Sequence, residues 1–378
     1  RAMEKQTITL KLEPNEGYYR SATVIVQSPD GTLKLEYQVE QNGDLGVNID
    51  PTQIPDDEIW YVMSDGTTYD VYFTTKQYGH QPFDAKVISN TYKNGYGIIK
   101  FDAPVTKIND HTFGNFWAAN MTELYLPDCI EYLGTGAICN TGLTTLHIPK
   151  NLKMVGSYGL NNPNLESFTG SHITEDGRCV IIEDGFMPNY GNTITPVKNY
   201  IAAFAPAGIT EYTLPSNVEI LGWYAFAWCS ELRKITFNEG LKVIGTHAFS
   251  GCVGLNSVTF PSSLEQLASP VFDGCSNING FYGNEKFHSS DNKCLYYIPS
   301  SFESTLDPST QSGPYLVHFA DSSIEEYTIP EGIIGINGVG FNMAKNLKRL
   351  TLPNSLTWVN SLAFTGCDKL EAVYGEHT

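Results

Sequence analysis

Eight cysteines are the residues of this chain best suited to chemistry, and three of them, Cys229, Cys252 and Cys275, fall at a constant step of 23 residues. Thiolates ligate soft metals and act as nucleophiles, so a regular row of thiols has to be explained first. No C-x-x-C occurs and the eight histidines are dispersed, which removes the spacing of a structural zinc site. The slot that holds Cys229, Cys252, Cys275 and Cys367 is filled by Asn162 in another copy and by Ala344 in a third. It asks for a small, buried residue, and a free cysteine behaves as a small hydrophobe. The expectation is a row of buried, inert thiols, with neither disulfides nor a metal.

Other chemistry is equally thin. The chain has no G-x-S-x-G, H-E-x-x-H, Walker A or G-x-G-x-x-G; Gly335-Ile336-Asn337-Gly338-Val339-Gly340 has its glycines in the wrong order. The acidic runs Glu175-Asp176-Gly177 and Asp291-Asn292 lack the alternate-position carboxylates of a calcium loop and read as hairpin turns. No catalytic residue, metal or cofactor is expected. The formal net charge of -18, from 41 acidic and 23 basic residues, argues against a nucleic-acid partner, which needs the opposite sign. No stretch approaches the 18 or so consecutive apolar residues of a membrane span.

The step of 23 also governs Phe226, Phe249 and Phe272. Recurrence at 20 to 50 residues marks stacked supersecondary units, because one unit cannot bury its apolar face alone. In the copy running from Leu232 to Cys252, Ile235 and Phe237 alternate with Lys234, Thr236 and Asn238, giving a short strand with one apolar and one wet face. Proline closes many copies, at 127, 149, 215, 261, 330 and 353, which a strand tolerates at its end. After each strand comes a small residue, Asn109, Gly134, Gly156, Gly222, Gly245, Ala268, Asn337 or Asn360, expected to take positive φ in a left-handed turn. The fold class is mainly β with short helical or 3-10 turns: a solenoid of 23-residue repeats after an all-β N-terminal region.

A longer period of 115 residues lies over the first. Cys179, Tyr200, Phe204, Tyr212 and Phe226 recur as Cys294, Tyr315, Phe319, Tyr327 and Phe341. Residues 171–210 and 284–325 are thus duplicate insertions. Each is expected to be a β-hairpin with short strands at 179–182 and 200–204, or 294–297 and 315–319, around a polar loop at 183–199 or 299–314. Residues 105–378 form the repeat domain and 44–104 its N-terminal cap, with strands expected at 59–62, 69–73, 85–88 and 97–101. Residues 1–43 read as a meander of three strands at 6–12, 21–26 and 32–39. No comparable cover is apparent beyond Val373-Tyr374-Gly375.

What remains for function is surface. The outward column of the stacked strands reads Tyr125, His147, Thr169, Thr213, Thr236, Thr259, Tyr282, Thr328, Thr351 and Tyr374. Threonine is a good strand former, so a hydroxyl ladder also follows from propensity alone. Continuous faces of this kind are what solenoids use to bind large partners. A second patch, Trp223, Tyr224 and Trp228, lies on the turn side, where packing against the first insertion is the simpler use.

The run Ile244-Gly245-Thr246-His247-Ala248-Phe249-Ser250-Gly251-Cys252, followed by Leu255 and Val258-Thr259-Phe260-Pro261, resembles the BspA-like leucine-rich repeats. The likeness covers about residues 105–378, and Asp176-Gly177-Arg178-Cys179 with Tyr200-Ile201-Ala202-Ala203-Phe204 is similar to an insertion of that family. Residues 6–43, with Arg20-Ser21-Ala22-Thr23-Val24-Ile25-Val26 and Val39-Glu40-Gln41-Asn42-Gly43, resemble the latter half of a BACON domain, a small β-sandwich of Bacteroides-type surface proteins. Together the resemblances imply a non-catalytic, secreted or cell-surface protein, with a leader or lipid anchor upstream of Arg1. They imply adhesion to a host extracellular protein or another cell. The alternative is a glycan- or mucin-binding accessory of a polysaccharide-uptake system.

Overall fold

A computed structural model describes residues 20–28, 30–32, 34–41, 49–114, 118–188, 194–299 and 313–375. Arg20–Gln27 and Lys34–Gln41 form an antiparallel hairpin around a turn in which the Asp30 carboxylate accepts from the Thr32 amide at 3.1 Å. Its side chains are largely open to solvent, Ile25 and Tyr37 both more than half exposed. The expected strand at 6–12 lies outside the described residues.

A four-stranded antiparallel sheet follows, in the order Val87–Lys93, Tyr96–Phe101, Glu58–Met63, Met121–Tyr125. Its last member is the first strand of the solenoid, held in register Trp60↔Tyr125 and Tyr61↔Leu124. That edge of the stack is therefore hydrogen-bonded rather than open, and Ile59, Tyr61, Ile99 and Phe101 bury the sheet's inner face. Residues 69–73 are not the expected strand. The Tyr69 hydroxyl is drawn inward to the Thr112 carbonyl at 2.7 Å, and Asp70 accepts from the Tyr72 amide. The chain thereby turns into a one-and-a-half-turn helix, Phe73–Tyr78, closed by Gly79 at φ 75°. The strand expected at 85–88 runs instead over Val87–Lys93.

Beyond it the chain winds through about 11 turns of a β-solenoid. One column of strands, the front, comprises Met121–Tyr125, Thr145–Ile148, Ser167–Gly170, Glu211–Thr213, Lys234–Thr236, Val258–Phe260, Phe281–Gly283, Glu326–Thr328, Arg349–Thr351 and Ala372–Tyr374. A back column of two-residue strands includes Tyr132–Leu133, Met154–Val155, Ile220–Leu221, Val243–Ile244 and Gln266–Leu267. Between them the repeat phenylalanines stack: Phe226 on Phe249 at 5.3 Å and Phe249 on Phe272 at 5.4 Å between ring centroids. Each ring closes the apolar face of the next, which is why an isolated unit has no core.

The duplicate insertions are hairpins that become part of the solenoid. In the first, Cys179–Pro188 pairs antiparallel with Ile194–Phe204, so most of the stretch expected as loop, 183–199, is strand. The pairing continues as far as Pro188↔Ile194, with Asp184 and Lys198 paired on its wet face while Met187 and Val197 bury the other. The return strand then joins the back column, Tyr200↔Ile220 and Ile201↔Leu221 in parallel. The second hairpin repeats this with Cys294–Tyr297, Tyr315–Phe319 and Gly335–Ile336. Phe204 and Phe319 stand in the phenylalanine ladder themselves, 4.5 Å from Phe226 and 4.9 Å from Phe341. Residues 300–312 lie outside the described residues.

Two repeat slots do a different job from the one expected. Positive φ does not occur at Gly134, Gly156, Gly222 or Gly245, nor at Asn109, Ala268, Asn337 or Asn360; it occurs two residues later, at His111, Gly136, Tyr158, Tyr224 and His247. The small slot is set by close stacking: a Cβ on Gly156 would lie 2.5 Å from Gly134 C and from Thr135 N. Its amide donates across the same gap, Gly156 N to Leu133 O at 2.7 Å and Gly245 N to Leu221 O at 2.9 Å. The cysteine slot is more than a hydrophobic filler. Cys252, Cys275 and Cys367 each point the thiol at the phenylalanine carbonyl of the preceding repeat, Phe226, Phe249 and Phe341, at 3.0 to 3.1 Å. Where the slot holds Asn162, its amide donates to the corresponding Ile138 carbonyl at 2.8 Å. In these four copies the slot holds a small donor, whereas Cys229, with its thiol 4.0 Å from the Ala227 carbonyl, and Ala344 fill it by size alone.

Candidate binding face

The outward front column is built by strict alternation. In Glu211–Thr213, Lys234–Thr236 and Val258–Phe260 the middle or flanking apolar residues are buried and the threonines point out, paired Thr213↔Thr236 and, one sheet on, Thr259↔Tyr282. Ten strands at about 4.8 Å spacing make a strip roughly 45 Å long and about 10 Å wide. That is about half of the roughly 800 Å² each partner contributes to a stable interface. A partner held here must reach the flanks.

Two depressions provide such flanks. An open cavity of about 680 Å³ lies where the first hairpin meets Glu211–Thr213, lined by His172, Thr174, Asp176, Glu183, Tyr212 and Thr213. A smaller one of about 590 Å³ opens between Lys234–Thr236 and Val258–Phe260, lined by Glu211, Arg233, Lys234, Thr236, Glu239 and Thr259. These two strands belong to separate sheets, and the break in the ladder makes the depression. The structure thus gathers Thr213, Thr236 and Thr259 on one stretch, bordered by both signs of charge.

The other column residues stand apart from that stretch. Tyr125 is half-buried in the cap sheet and bonded to the Glu123 carboxylate, with its hydroxyl pKa raised by burial first and by that carboxylate second. His147 and Thr169 bond each other at 3.1 Å. Beyond the second hairpin come Thr328, Thr351 and Tyr374 in a sheet of their own, Thr328↔Thr351↔Tyr374. Tyr282, 40% exposed, ends the central stretch. Arg233, Glu239, His172 and Glu183 were not legible as site residues, because they flank the strands and carry no repeat signature; Glu211 and Lys234 point outward on the same strands, two residues before Thr213 and Thr236.

A duplicated side-chain cluster underlies the hairpins. The Cys179 thiol donates to the Tyr212 hydroxyl at 3.3 Å; in the second copy Tyr327 donates to Asp291 Oδ2 at 2.8 Å, with Cys294 Sγ 3.2 Å from its oxygen. Burial pushes both thiols up to about 12, so they stay protonated and are poor nucleophiles. Burial also pulls the Asp291 carboxyl upward, and the Ser289 hydroxyl, the Lys293 amide and Tyr327 outweigh it, holding it below the ordinary range. The cluster ties each hairpin turn to the next front strand. The Asp176 turn is closed the same way, its Oδ1 accepting from the Arg178 amide at 2.9 Å. Among the described residues no three His, Cys, Asp or Glu side chains come together as a metal site, and no helix is long and apolar enough to cross a membrane.

The turn-side patch divides. Trp223 is partly buried against the core, whereas Trp228 is 48% exposed.

With the columns, the phenylalanine ladder and the small slot in place, the sequence matches the family described as BspA type leucine rich repeat region, in six copies over residues 89–177, 199–311 and 317–377. The chain belongs to the BspA-type leucine-rich repeat family. The family match begins before the solenoid proper, within the strand Val87–Lys93 of the cap sheet. Among solved structures, the chain is similar to a leucine rich cell surface protein from Faecalibacterium prausnitzii, at 19% identity and a TM-score of 0.43, covering 76% of this chain and 68% of that one. A leucine-rich repeat protein from Eubacterium ventriosum is 18% identical with a TM-score of 0.42, covering 66% of this chain and 59% of that one. One from Bacteroides ovatus is 18% identical with a TM-score of 0.34, covering 71% and 70%. At this level the likenesses accompany the BspA-type assignment and carry no weight of their own. No curated protein matches the chain.

Proposed function

We propose that this BspA-type chain is a non-catalytic binding protein of a bacterial cell surface, whose front strand face takes hold of a folded extracellular protein of a host or of another cell. The observation that carries the reading is the stretch Thr213, Thr236 and Thr259, hydroxyl-bearing and exposed, set between two depressions of about 680 and 590 Å³ with Arg233, Lys234, Glu211 and Glu239 at the border. Such a broad, mixed polar surface suits a protein partner, since charges of both signs orient an approaching surface and a rigid sheet adds little ordering cost. Tyr125, His147, Thr169, Tyr282, Thr328, Thr351 and Tyr374 extend the face in both directions. A glycan-binding accessory protein needs an exposed aromatic platform, and the central outward residues of this face are threonines.

Residues 1–43 are read as a BACON-like segment, 44–104 as the cap and 105–378 as the repeat domain. The test is a binding screen of the purified chain against immobilised extracellular-matrix proteins and whole cells, repeated with Thr213→Glu, Thr236→Glu and Thr259→Glu combined. The three positions are exposed, so the fold survives. Loss of at least tenfold in affinity supports the front face, and unchanged affinity removes it.

A further inference from the structure

The turn side of the solenoid carries a ring cluster with an unusual backbone. His247, Tyr224 and Trp228 stack in one pile, with centroids 4.7 and 5.6 Å apart and planes within 20°. Tyr158 meets Tyr224 and Trp228 edge-on at 5.3 and 6.3 Å. All four are held at positive φ: His247 at 57°, Tyr224 at 59°, Trp228 at 61° and Tyr158 at 43°. Left-handed backbone is strained for a side chain bearing Cβ, and bulky residues adopt it rarely.

The neighbouring repeats show that the turn itself does not need these rings. At the slot of Trp228, two residues after the repeat phenylalanine, later copies place Gly251, Gly274 and Gly366, at φ 70°, 77° and 87°. At the slot of Tyr158, Tyr224 and His247, one copy places Gly136 at φ 57°. Glycine meets the backbone demand without strain. Stacking against His247 and Trp228 compensates Tyr224 for that backbone. Trp228, at the end of the pile and 48% exposed, recovers less than a buried ring would. Strain that packing does not offset points to a site.

A cavity lies beside this indole. It measures about 380 Å³, within the roughly 300–1,000 Å³ of small-molecule sites, and Asn140, Asn161, Pro163, Phe204, Pro206 and Trp228 line it. It opens where the first hairpin separates the repeat ending at Asn162 from the one beginning near Gly222. Asn161 is fixed there by donating its amide to the Tyr224 carbonyl at 3.0 Å, which leaves its oxygen to accept from a ligand hydroxyl. Asn140, exposed and itself at φ 54°, brings a second amide. The lining has no charged side chain.

We propose that Trp228 and this cavity form a second binding site, for a neutral pyranose at the end of a glycan chain. A pyranose has an apolar face of C–H groups and a rim of hydroxyls that donate and accept. The first matches the exposed part of the Trp228 indole, and the second matches side-chain amides. An anionic sugar finds no cation here. A quaternary ammonium ion wants ring faces on several sides, but Tyr224 has both faces covered and Tyr158 presents its edge. The site is independent of the front face and stands or falls separately from it.

The test uses the full chain against an array of neutral mono- and oligosaccharides, with indole fluorescence titration and calorimetry on each hit. Trp228→Gly, the residue natural to that backbone, is expected to weaken binding at least tenfold while leaving the melting temperature unchanged or higher. Trp228→Phe restores part of the affinity, and Asn161→Ala lowers it without moving the Trp228 emission of the free protein. The front-face triple variant binds sugar as the parent does. The proposal is overturned if no neutral sugar gives a saturable signal, if Trp228→Gly binds as tightly as the parent, or if a proline-rich peptide on the same array quenches the indole and no sugar does.

Discussion

The substitution Cys252→Ala, set beside Cys252→Ser, separates two accounts of the cysteine row. Cys252 is fully buried, and its thiol donates to the Phe226 carbonyl at 3.0 Å. That carbonyl otherwise receives the Cys229 amide at 3.4 Å, a long contact. Truncation to alanine removes one buried heavy atom, about 1 kcal/mol, and strips the carbonyl of its nearer donor, about 1 kcal/mol more, since a thiol is a weak donor. Serine forfeits the apolar part and keeps a donor, so its cost is about 1 kcal/mol. Urea unfolding at neutral pH reads both, as midpoint shifts at constant slope. The expected order is parent, then serine, then alanine. A slot wanting nothing but a small hydrophobe gives the reverse, because a hydroxyl buried without a partner costs more than a methyl group. Serine below alanine would refute the donor role.

Three further outcomes follow from the geometry. Gly156→Ala should destabilise by at least 2 kcal/mol in the same assay, and Gly156→Asn by more, because the new Cβ lands 2.5 Å from the backbone at Gly134 and Thr135; a left-handed turn would tolerate asparagine better than alanine. His318 is buried and its pKa is lowered to about 4 by desolvation, against about 6.5 when unfolded. The unfolded chain thus takes up a proton that the fold refuses, and about 3 kcal/mol of stability is lost as pH falls from about 6.5 to 4. His318→Leu should flatten unfolding free energy over that window, and an unchanged pH slope would count against the assignment. In the folded protein Cys179, Cys229, Cys252, Cys275 and Cys294 should resist an aromatic disulfide reagent at pH 8, and the partly exposed Cys129 should react first; rapid modification of the first five would show that the row is open.

Much of this architecture is legible in the chain because a repeat states each demand several times. The apolar alternation around Ile235 and Val258, the phenylalanine ladder and the 115-residue duplication each carry their meaning in spacing. Demands made by neighbouring turns on one another are harder to read. Gly156 and Gly245 look like turn glycines, yet what excludes a Cβ is the backbone one repeat below, a distance set by stacking. The left-handed positions were hidden for the same reason: Tyr224 and Trp228 are poor left-handed residues, so composition pointed away from them. Cys252 reads as a filler until Phe226 O is placed beside it. The first hairpin runs longer than its polar composition suggested, because a solvated ribbon hides its strands among loop-like residues such as Asp184 and Lys198.

For the candidate face, the outward register was legible and its relief was not. Alternation placed Thr213, Thr236 and Thr259 on one side. The depressions beside them arise from the break between Lys234–Thr236 and Val258–Phe260 and from the hairpin base, which no local pattern encodes.

The central claim, that the front strand face holds a protein partner, is tested most directly by comparing the parent chain, the Thr213→Glu, Thr236→Glu, Thr259→Glu variant and Trp228→Gly for binding to extracellular-matrix proteins and cells. The account predicts that the triple variant loses affinity at least tenfold while its unfolding midpoint stays with the parent's, and that Trp228→Gly binds the protein partner normally. Parent-like binding by the triple variant, with loss in Trp228→Gly instead, would contradict it.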